Sequence, residues 1–395
     1  MFFIFNPLPP RSSTFRALIE NSLPLLPRVS MRTAEMFQKL DNCFRRFIYF
    51  SADVLYLLCI IFAIFTHLYD IFDEVPYLGI FGPRNKGKSR LGIILFFLCF
   101  NPIKSEDISD AALYRGIKEQ MDGTTMIIDE ADALSRPRRG SILLNILRSG
   151  NRRDGKIIRT GPGGTTENFP TFCPKIIINI KGISDLPLQT RTIPIYMVKR
   201  TGSLERFRFK KVEKEFEELK KLIKSFCDYY KDIVSQLYFS FQGVEGISDR
   251  DEEIWAPLLI IADLLATLLD TPSIRNQMIE LAKGTILERQ RSEMIGNRDL
   301  QILVSTRDFL ENTNPLNSEG LYVAEELRDF IKKSWGSAGL TTEAVGRVLN
   351  RNGVIKDLKR PNLTPKGGSA EKVQKTCYIL DGEALQKLTD EYFGG

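Results

Sequence analysis

Histidine and paired cysteine are scarce in this sequence. His67 is the only histidine, and the six cysteines are scattered through apolar stretches with no Cys-x-x-Cys pair. This pattern argues against a Cys/His zinc site and against a catalytic triad built on histidine. Scattered thiols are typical of reduced, buried cysteines in a cytosolic protein and not of a disulfide framework. We interpret His67 as a packing position.

Long hydrophobic runs are also missing. The most apolar stretch, residues 54–69, is shorter than the ~20 residues of a membrane span, and Asp53, His67 and Asp70 bracket or interrupt it. We therefore predict a buried helix there instead of a membrane span. The apolar residues 1–5 have no basic segment before them and are soon followed by prolines, so we predict no signal peptide. A cytoplasmic protein without a membrane partner is expected.

Neither sign of charge dominates. The chain of 395 residues has 55 Lys+Arg against 49 Asp+Glu, a net charge of +6. This mildly basic balance permits a polyanionic partner without requiring one. The length allows two or three domains, and an apolar fraction of 43% supports ordinary globular cores.

A complete G-x-x-x-x-G-K-[ST] motif is present at residues 82–89. Glycines let such a loop turn tightly and point N–H groups at phosphates, the lysine reaches the β- and γ-phosphates, and the hydroxyl completes a Mg²⁺ shell. Residues 77–81 predict a buried strand before the loop and 91–98 a helix after it, which disfavours a chance Gly/Lys turn. We predict ATP and Mg²⁺ as cofactors, held by Gly82, Pro83, Arg84, Asn85, Lys86, Gly87, Lys88, Ser89 and Arg90.

An acidic pair follows a second apolar strand, residues 124–128. Asp129 would hold Mg²⁺ through water, beside Ser89, and Glu130 would polarise the attacking water. The pair lies some forty residues beyond the loop, which makes it more specific than an isolated Asp-Glu. The alternative is a solvated turn.

Two further polar residues lie beside predicted strands. Asn179 lies near the end of the apolar run 175–180, where it would sense the γ-phosphate or orient water; the alternative is a structural Asn that caps a turn. Arg191 directly precedes the fourth predicted strand, 192–198, where a charge is poorly accommodated unless it points at a neighbour.

Basic residues cluster in two places. Between residues 136 and 159 there are eight against one acid, on a predicted helix 141–147 and a hairpin with strands 156–160 and 165–169. Between 343 and 375 there are eight against three, in a winged-helix outline: helices 321–334 and 340–352, β-like pieces 354–358 and 373–380, and helix 383–393. The alternatives are a solvated face and a protein-docking module. We predict DNA-phosphate contacts for Arg148, Arg152, Arg153, Lys156, Arg159, Arg347, Lys359 and Arg360.

From about residue 37 to the C-terminus, the sequence resembles the helicase-like, AAA+-type P-loop ATPase module of phage and plasmid replication proteins. That module is often fused to or encoded beside a primase, and its defining region has no known function. The matching segments are residues 66–70, 76–78, 128–132, 147–153, 156–159, 172–175, 186–191, 255–258 and 261–263.

The residue patterns and the resemblance together predict an α/β fold in five parts. These are a loose extension (1–30), an N-terminal helical segment (31–75), a P-loop AAA+-like core (76–205), a helical lid (206–315) and a winged-helix domain (316–395). The resemblance also implies a ring, hexameric in such proteins, with Arg191 as arginine finger, Asn179 as sensor 1, Arg250 as sensor 2 and hairpin 156–169 in the pore.

Two functions are consistent with these features. The first is an ATP-dependent helicase or translocase on single-stranded or forked DNA, in replication of a mobile element, virus or plasmid. The second is an ATP-switched assembly or loader ATPase without unwinding. Unlike the fused members of the family that it resembles, this sequence is expected to have no primase domain, so a separate primase or replication initiator would be a partner.

Overall fold

The computed structural model describes residues 26–106, 123–131, 134, 142–160, 166–335, 339–363 and 373–393. The chain divides into two compact units, Met1–Thr285 and Ile286–Gly395. Most of the predicted N-terminal extension lies outside the described residues. The first described helix begins at Leu26, earlier than the predicted start at residue 31.

Two helices precede the sheet of the first unit. Helix α1 spans Leu26–Phe47 and helix α2 spans Val54–Thr66, followed by a 3-10 turn at Tyr69–Ile71. Every residue of α2 from Tyr56 onward is buried, as predicted for this apolar stretch. Within the described part of the chain, no helix is long and apolar enough to cross a membrane.

A parallel five-stranded sheet forms the centre of the first unit. The strands of this unit are β1 Tyr77–Phe81, β2 Pro102–Glu106, β3 Thr125–Asp129, β4 Lys156–Thr160, β5 Thr166–Pro170, β6 Lys175–Ile178 and β7 Thr192–Tyr196. The sheet has the order β2-β3-β6-β1-β7, and β4 and β5 form a separate antiparallel hairpin. Strands β1, β3 and β6 are buried throughout, which is typical of parallel strands covered on both faces. The loops after β1, β3 and β6 therefore meet at one edge of the sheet.

Helices cover this sheet closely. The helices that flank the sheet or follow it are α3 Lys88–Leu98, α4 Ile142–Ser149, α5 Leu186–Gln189, α6 Phe209–Ser240, α7 Asp249–Leu268 and α8 Ser273–Gly296. A Cβ on Gly92 of α3 would lie 2.5 Å from Cδ1 of Ile178, so α3 packs directly on β6. On its other side, the ring of Phe97 stacks on that of Phe216 of α6 with centroids 5.0 Å apart.

The second unit combines short strands with helices. Its elements are α9 Arg298–Asn312, β8 Leu321–Val323, α10 Ala324–Trp335, α11 Thr342–Arg351, β9 Ile355–Lys359, β10 Asn362–Leu363, β11 Val373–Gln374, β12 Cys377–Leu380 and α12 Gly382–Phe393. Strands β8, β12 and β9 form an antiparallel sheet in that order, and β10 pairs with β11. Thr341 caps α11 by accepting a hydrogen bond from the Ala344 N–H, as predicted.

The predicted helix 321–334 begins too early. Residues Leu321–Val323 form β8, because they pair with Cys377–Ile379 of β12 and bury Leu321 and Val323 while Tyr322 points to the other face. Helix α9, which the prediction placed in the lid, contributes Ile302, Leu303 and Phe309 to the core of the second unit. The lid and winged-helix assignments stay predictions.

Candidate active site

The loop at residues 82–89 connects β1 to α3 through left-handed backbone. Gly82 has φ +134°, Asn85 +62° and Gly87 +92°. The N–H of Gly82 donates to the Ile180 carbonyl at 3.3 Å, and a Cβ on Gly82 would lie 2.6 Å from the Met197 carbonyl oxygen. Only glycine fits that position, so the loop keeps the tight turn that aims backbone N–H groups at an anion.

Lys88 is the first residue of α3. Its Nζ donates to the carbonyl oxygens of Gly82 at 2.7 Å and Pro83 at 2.9 Å, so the ammonium group lies against the loop itself. Ser89 follows it in the first turn of α3. The positive end of the α3 dipole and the Lys88 charge therefore lie at the same point, where a phosphate would be stabilised.

The acidic pair lies at the end of β3, at the edge where the P-loop also lies. Asp129 is 7% exposed, and its Oδ1 accepts the backbone N–H of Glu130 at 3.0 Å. Glu130 has φ +55°, a conformation that non-glycine residues rarely adopt and that is common at functional sites. Its side chain is exposed, so this backbone presents a carboxylate to solvent at the edge of the sheet.

Lys104 on β2 contacts Asp129 of the acidic pair, which the sequence does not predict. Its Nζ lies 3.1 Å from Oδ2 of Asp129. Strand β2 pairs with β3 so that Glu106 lies beside Asp129, and Lys104, two residues before Glu106, lies on the same face of the sheet. Strand β2 has no continuous apolar run that would have predicted it. Only the pairing with β3 identifies Lys104 as part of the site.

Asn179 is buried directly after β6 and contacts two segments. Its amide donates to the carbonyls of Gly182 at 2.9 Å and Ala131 at 3.3 Å, and its Oδ1 accepts the Gly182 N–H at 2.7 Å. The two hydrogen bonds with Gly182 are those of an asparagine that caps a turn, which was the alternative to a sensor. The hydrogen bond to Ala131 links Asn179 to the residue after Glu130. The sensor role stays a prediction.

Arg191 is buried in this structure, at 8% exposure. Its Nη1 donates to the Pro187 carbonyl at 2.8 Å. Burial first, and then the nearby charge of Arg250, lowers the pKa of the Arg191 guanidinium. Arg250 itself is exposed in the first turn of α7. An arginine finger must reach a neighbouring subunit, so that predicted role requires Arg191 to leave this position; the finger and sensor 2 roles stay predictions.

The basic residues near the hairpin differ in their surroundings. Arg148 is ion-paired with Asp185, which also caps α5, and Arg153 donates to Asp73 Oδ1 at 3.1 Å and to the Phe72 carbonyl at 2.8 Å. These two arginines therefore stabilise the chain around them. The side chain of Arg152 is 64% exposed, although it lies 3.5 Å from Glu74, and Lys156 is exposed. The side chain of Arg159 lies outside the described residues.

In the second unit, Lys359 is paired with Glu319 at 2.6 Å. Arg347 on α11 and Arg360 after β9 are both exposed. Over the residues that the structure describes, neither makes an ion pair of the kind that Lys359 makes, so both are available to a polyanion. DNA contact by all eight predicted basic residues stays a prediction.

His67 is half-buried, with Nε2 2.9 Å from the Leu98 carbonyl oxygen. Burial lowers its pKa to about 4, so the ring is neutral near pH 7 and donates this hydrogen bond. All six cysteines are buried with free thiols. Both findings agree with the predictions of a packing histidine and of reduced cysteines.

Lys175 is a second residue whose importance the sequence did not reveal. It is fully buried at the start of β6, where Nζ donates to the carbonyls of Gly150 at 3.0 Å, Thr171 at 2.8 Å and Cys173 at 3.0 Å. Burial lowers its pKa. The only feature of the sequence that indicates these buried hydrogen bonds is a lysine at the start of a run of isoleucines.

The residues present fit a magnesium ion that arrives with its nucleotide. Among the described residues, no group of three His, Cys, Asp or Glu side chains could hold a metal alone. Magnesium in such sites takes few protein ligands and shares phosphate oxygens and water. Asp129 supplies a buried carboxylate at the end of β3, and carboxylate oxygen is the type of ligand that magnesium prefers. Asp129 and the Ser89 hydroxyl are the groups that would hold it.

Comparison with known proteins gives remote likenesses. Residues 197–376 match a family described as a protein of unknown function, DUF3631, and this segment begins after the P-loop and the acidic pair. No curated protein matches the sequence. A solved structure of the C-terminal region of NrS-1 is similar over 91% of this chain and 76% of that one, at 14% identity and a TM-score of 0.40.

Two other solved structures are more distant. The JCV helicase is similar over 69% of this chain and 71% of that one, at 16% identity and a TM-score of 0.25. Cdc6p from Pyrobaculum aerophilum is similar over 88% of this chain and 94% of that one, at 10% identity and a TM-score of 0.25. At identities and TM-scores this low, neither likeness is evidence for an activity of this chain.

Proposed function

We propose that this protein is a P-loop ATPase that hydrolyses Mg²⁺-ATP. The observation that supports it is the meeting of the 82–89 loop and the Asp129–Glu130 pair at one edge of a parallel sheet. The loop N–H groups and Lys88 would hold the phosphates, and Ser89 and Asp129 the magnesium, which neutralises developing charge when bound. Glu130 would accept a proton from water.

We further propose that hydrolysis drives an AAA+-type DNA helicase or translocase, acting as a ring in replication. Basic side chains that reach solvent support a nucleic-acid partner: Arg152 and Lys156 near the hairpin, and Arg347 and Arg360 in the second unit. Phosphate contacts of this kind supply sequence-independent affinity for DNA that falls with salt. A ring would bring Arg191 of one subunit towards the nucleotide of the next.

The burial of Arg191 favours the second candidate function. If Arg191 keeps its bond to Pro187 in the assembled protein, no arginine reaches the neighbouring nucleotide from this position. ATP would then set the assembly state, and the protein would act as a loader without unwinding. Both candidates share the same nucleotide site.

The test compares wild type with Lys88→Ala, Glu130→Gln and Arg191→Ala. We expect Lys88→Ala to lose nucleotide binding, and Glu130→Gln and Arg191→Ala to bind ATP without turnover, each losing at least about 100-fold in rate. Normal ATPase activity in both Lys88→Ala and Glu130→Gln refutes the proposal. Strand displacement on a forked duplex, and mass measurement with and without ATP and single-stranded DNA, separate the motor from the loader.

A further inference from the structure

The proposed ATPase mechanism gives no role to Lys104, although this residue contacts Asp129 in the candidate active site. Lys104 Nζ lies 3.1 Å from Asp129 Oδ2, and the two side chains are 21% and 7% exposed. Solvent screens a pair with this little exposure only weakly, so each charge strongly affects the other. Removal of Lys104 would take away the cation that the described residues place on this buried carboxylate.

Lys104 lies on the Asp129 oxygen that magnesium or its water would contact. Asp129 Oδ1 is directed at the backbone N–H of Glu130, which leaves Oδ2 for magnesium or its water. Lys104 is already on Oδ2. An ammonium group and a divalent cation repel each other, so they compete for this carboxylate oxygen.

We propose that Lys104 is the resident counter-ion of Asp129 and that magnesium bound to nucleotide must displace it. The inference rests on the proposed function, since it takes Asp129 as a residue that holds magnesium. With Lys104 in place, Asp129 neither attracts free magnesium strongly nor repels the phosphates of a metal-free nucleotide. Lys104 is thus a positioning residue that sets how strongly nucleotide binding depends on the metal.

The consequence is measurable by calorimetric titration of ADP, once with EDTA and once with excess Mg²⁺. In Lys104→Met, the unpaired carboxylate should weaken binding in EDTA, and binding with Mg²⁺ should strengthen because nothing is displaced. The ratio of the two dissociation constants should rise about tenfold over wild type. Lys104→Arg, which keeps the charge, should stay near the wild-type ratio, as should Lys221→Met, which removes an exposed lysine of α6.

A second measurement needs no nucleotide. Free Mn²⁺ observed by electron paramagnetic resonance should be depleted more by Lys104→Met than by wild type, and Asp129→Asn in the same chain should abolish that difference. If Lys104→Met does not fold by thermal melting, Lys104→Gln carries the same expectations. An unchanged or lower ratio in a folded variant overturns the inference alone. Absence of nucleotide binding by wild type overturns the proposed function and this inference with it.

Discussion

At the scale of single residues, Gly82 controls the geometry of the phosphate loop. Its φ of +134° and the Met197 carbonyl 2.6 Å from any added Cβ exclude a side chain for two separate reasons. The sequence motif requires a glycine here, but it does not say which atom closes the space. That atom comes from the residue after β7, far along the chain.

We predict that Gly82→Ala destabilises the protein by roughly 2–4 kcal/mol and weakens ATP binding, because strain and steric overlap act together. Urea unfolding and nucleotide titration measure both effects. Gly202→Ala is the matched control: Gly202 has φ +87°, but a Cβ added there would meet no atom within 4 Å, so it isolates the strain. Equal losses of stability in the two variants would contradict the role of Met197.

His67 gives a pH-dependent stability with a definite sign. Its pKa is about 4 when folded against 6.5 ordinarily, so between these values the unfolded chain binds more protons. The contribution of neutral His67 to the free energy of unfolding is therefore complete above pH 6.5. It is lost as pH falls towards 4, which lowers the free energy of unfolding by about 3 kcal/mol.

The measurement is urea unfolding between pH 7 and pH 4 for wild type and His67→Gln. The variant keeps a side-chain N–H near the Leu98 carbonyl but cannot titrate in this range. We expect its stability to fall less steeply with acid than that of wild type, with carboxylates causing the slope that remains. Parallel curves would show that His67 is not the source.

At the scale of elements, the local sequence pattern specifies some strands, and pairing with a distant strand specifies others. The predicted strands 77–81 and 156–160 have the bounds that the structure shows, because an apolar run with turn residues at both ends specifies a strand locally. The sequence does not predict strand β2, and it predicts helix for the residues of β8. Each is short, and its conformation depends on a partner strand, β3 or β12, distant in sequence.

The buried ammonium group of Lys175 links β6 to the 150–173 segment, and its contribution to stability can be measured. Lys175→Met should destabilise the protein by about 3 kcal/mol, because three buried carbonyls of the 150–173 segment lose their donor. Thermal or urea unfolding measures the change. Lys181→Met, at an exposed position after β6, should have an effect under about 0.5 kcal/mol. A similar small effect at both positions would show that the buried ammonium is dispensable.

At the scale of the whole molecule, the boundary between the two units lies inside α8, after Thr285. Helix α9 belongs to the second unit by its contacts: Ile302, Leu303 and Phe309 join its core, and Ser305 Oγ accepts the indole N–H of Trp335 at 2.7 Å. The helical spacing of α9 predicted an amphipathic helix but could not predict which unit its apolar face contacts.

We predict that the fragment 286–395 folds and that 316–395, the domain predicted from sequence, does not. The shorter fragment lacks α9 and exposes the apolar residues that α9 covers. Circular dichroism and cooperative thermal melting distinguish the two, and Trp335 fluorescence reports its burial directly, since it is the only tryptophan in the longer fragment. Cooperative folding of 316–395 would contradict this assignment.

The sequence by itself determined the local features of this protein: the 82–89 loop, the apolar strand that ends in Asp129–Glu130, the buried helix α2 and the hairpin. Each depends on residues adjacent in the chain, so periodicity and motif spacing are sufficient. Only the tertiary structure decided the order β2-β3-β6-β1-β7, the contact of Lys104 with Asp129, the ion pairs of Arg148 and Arg153, and the burial of Arg191. These depend on which distant segments pair and at what register, and no local pattern carries that information.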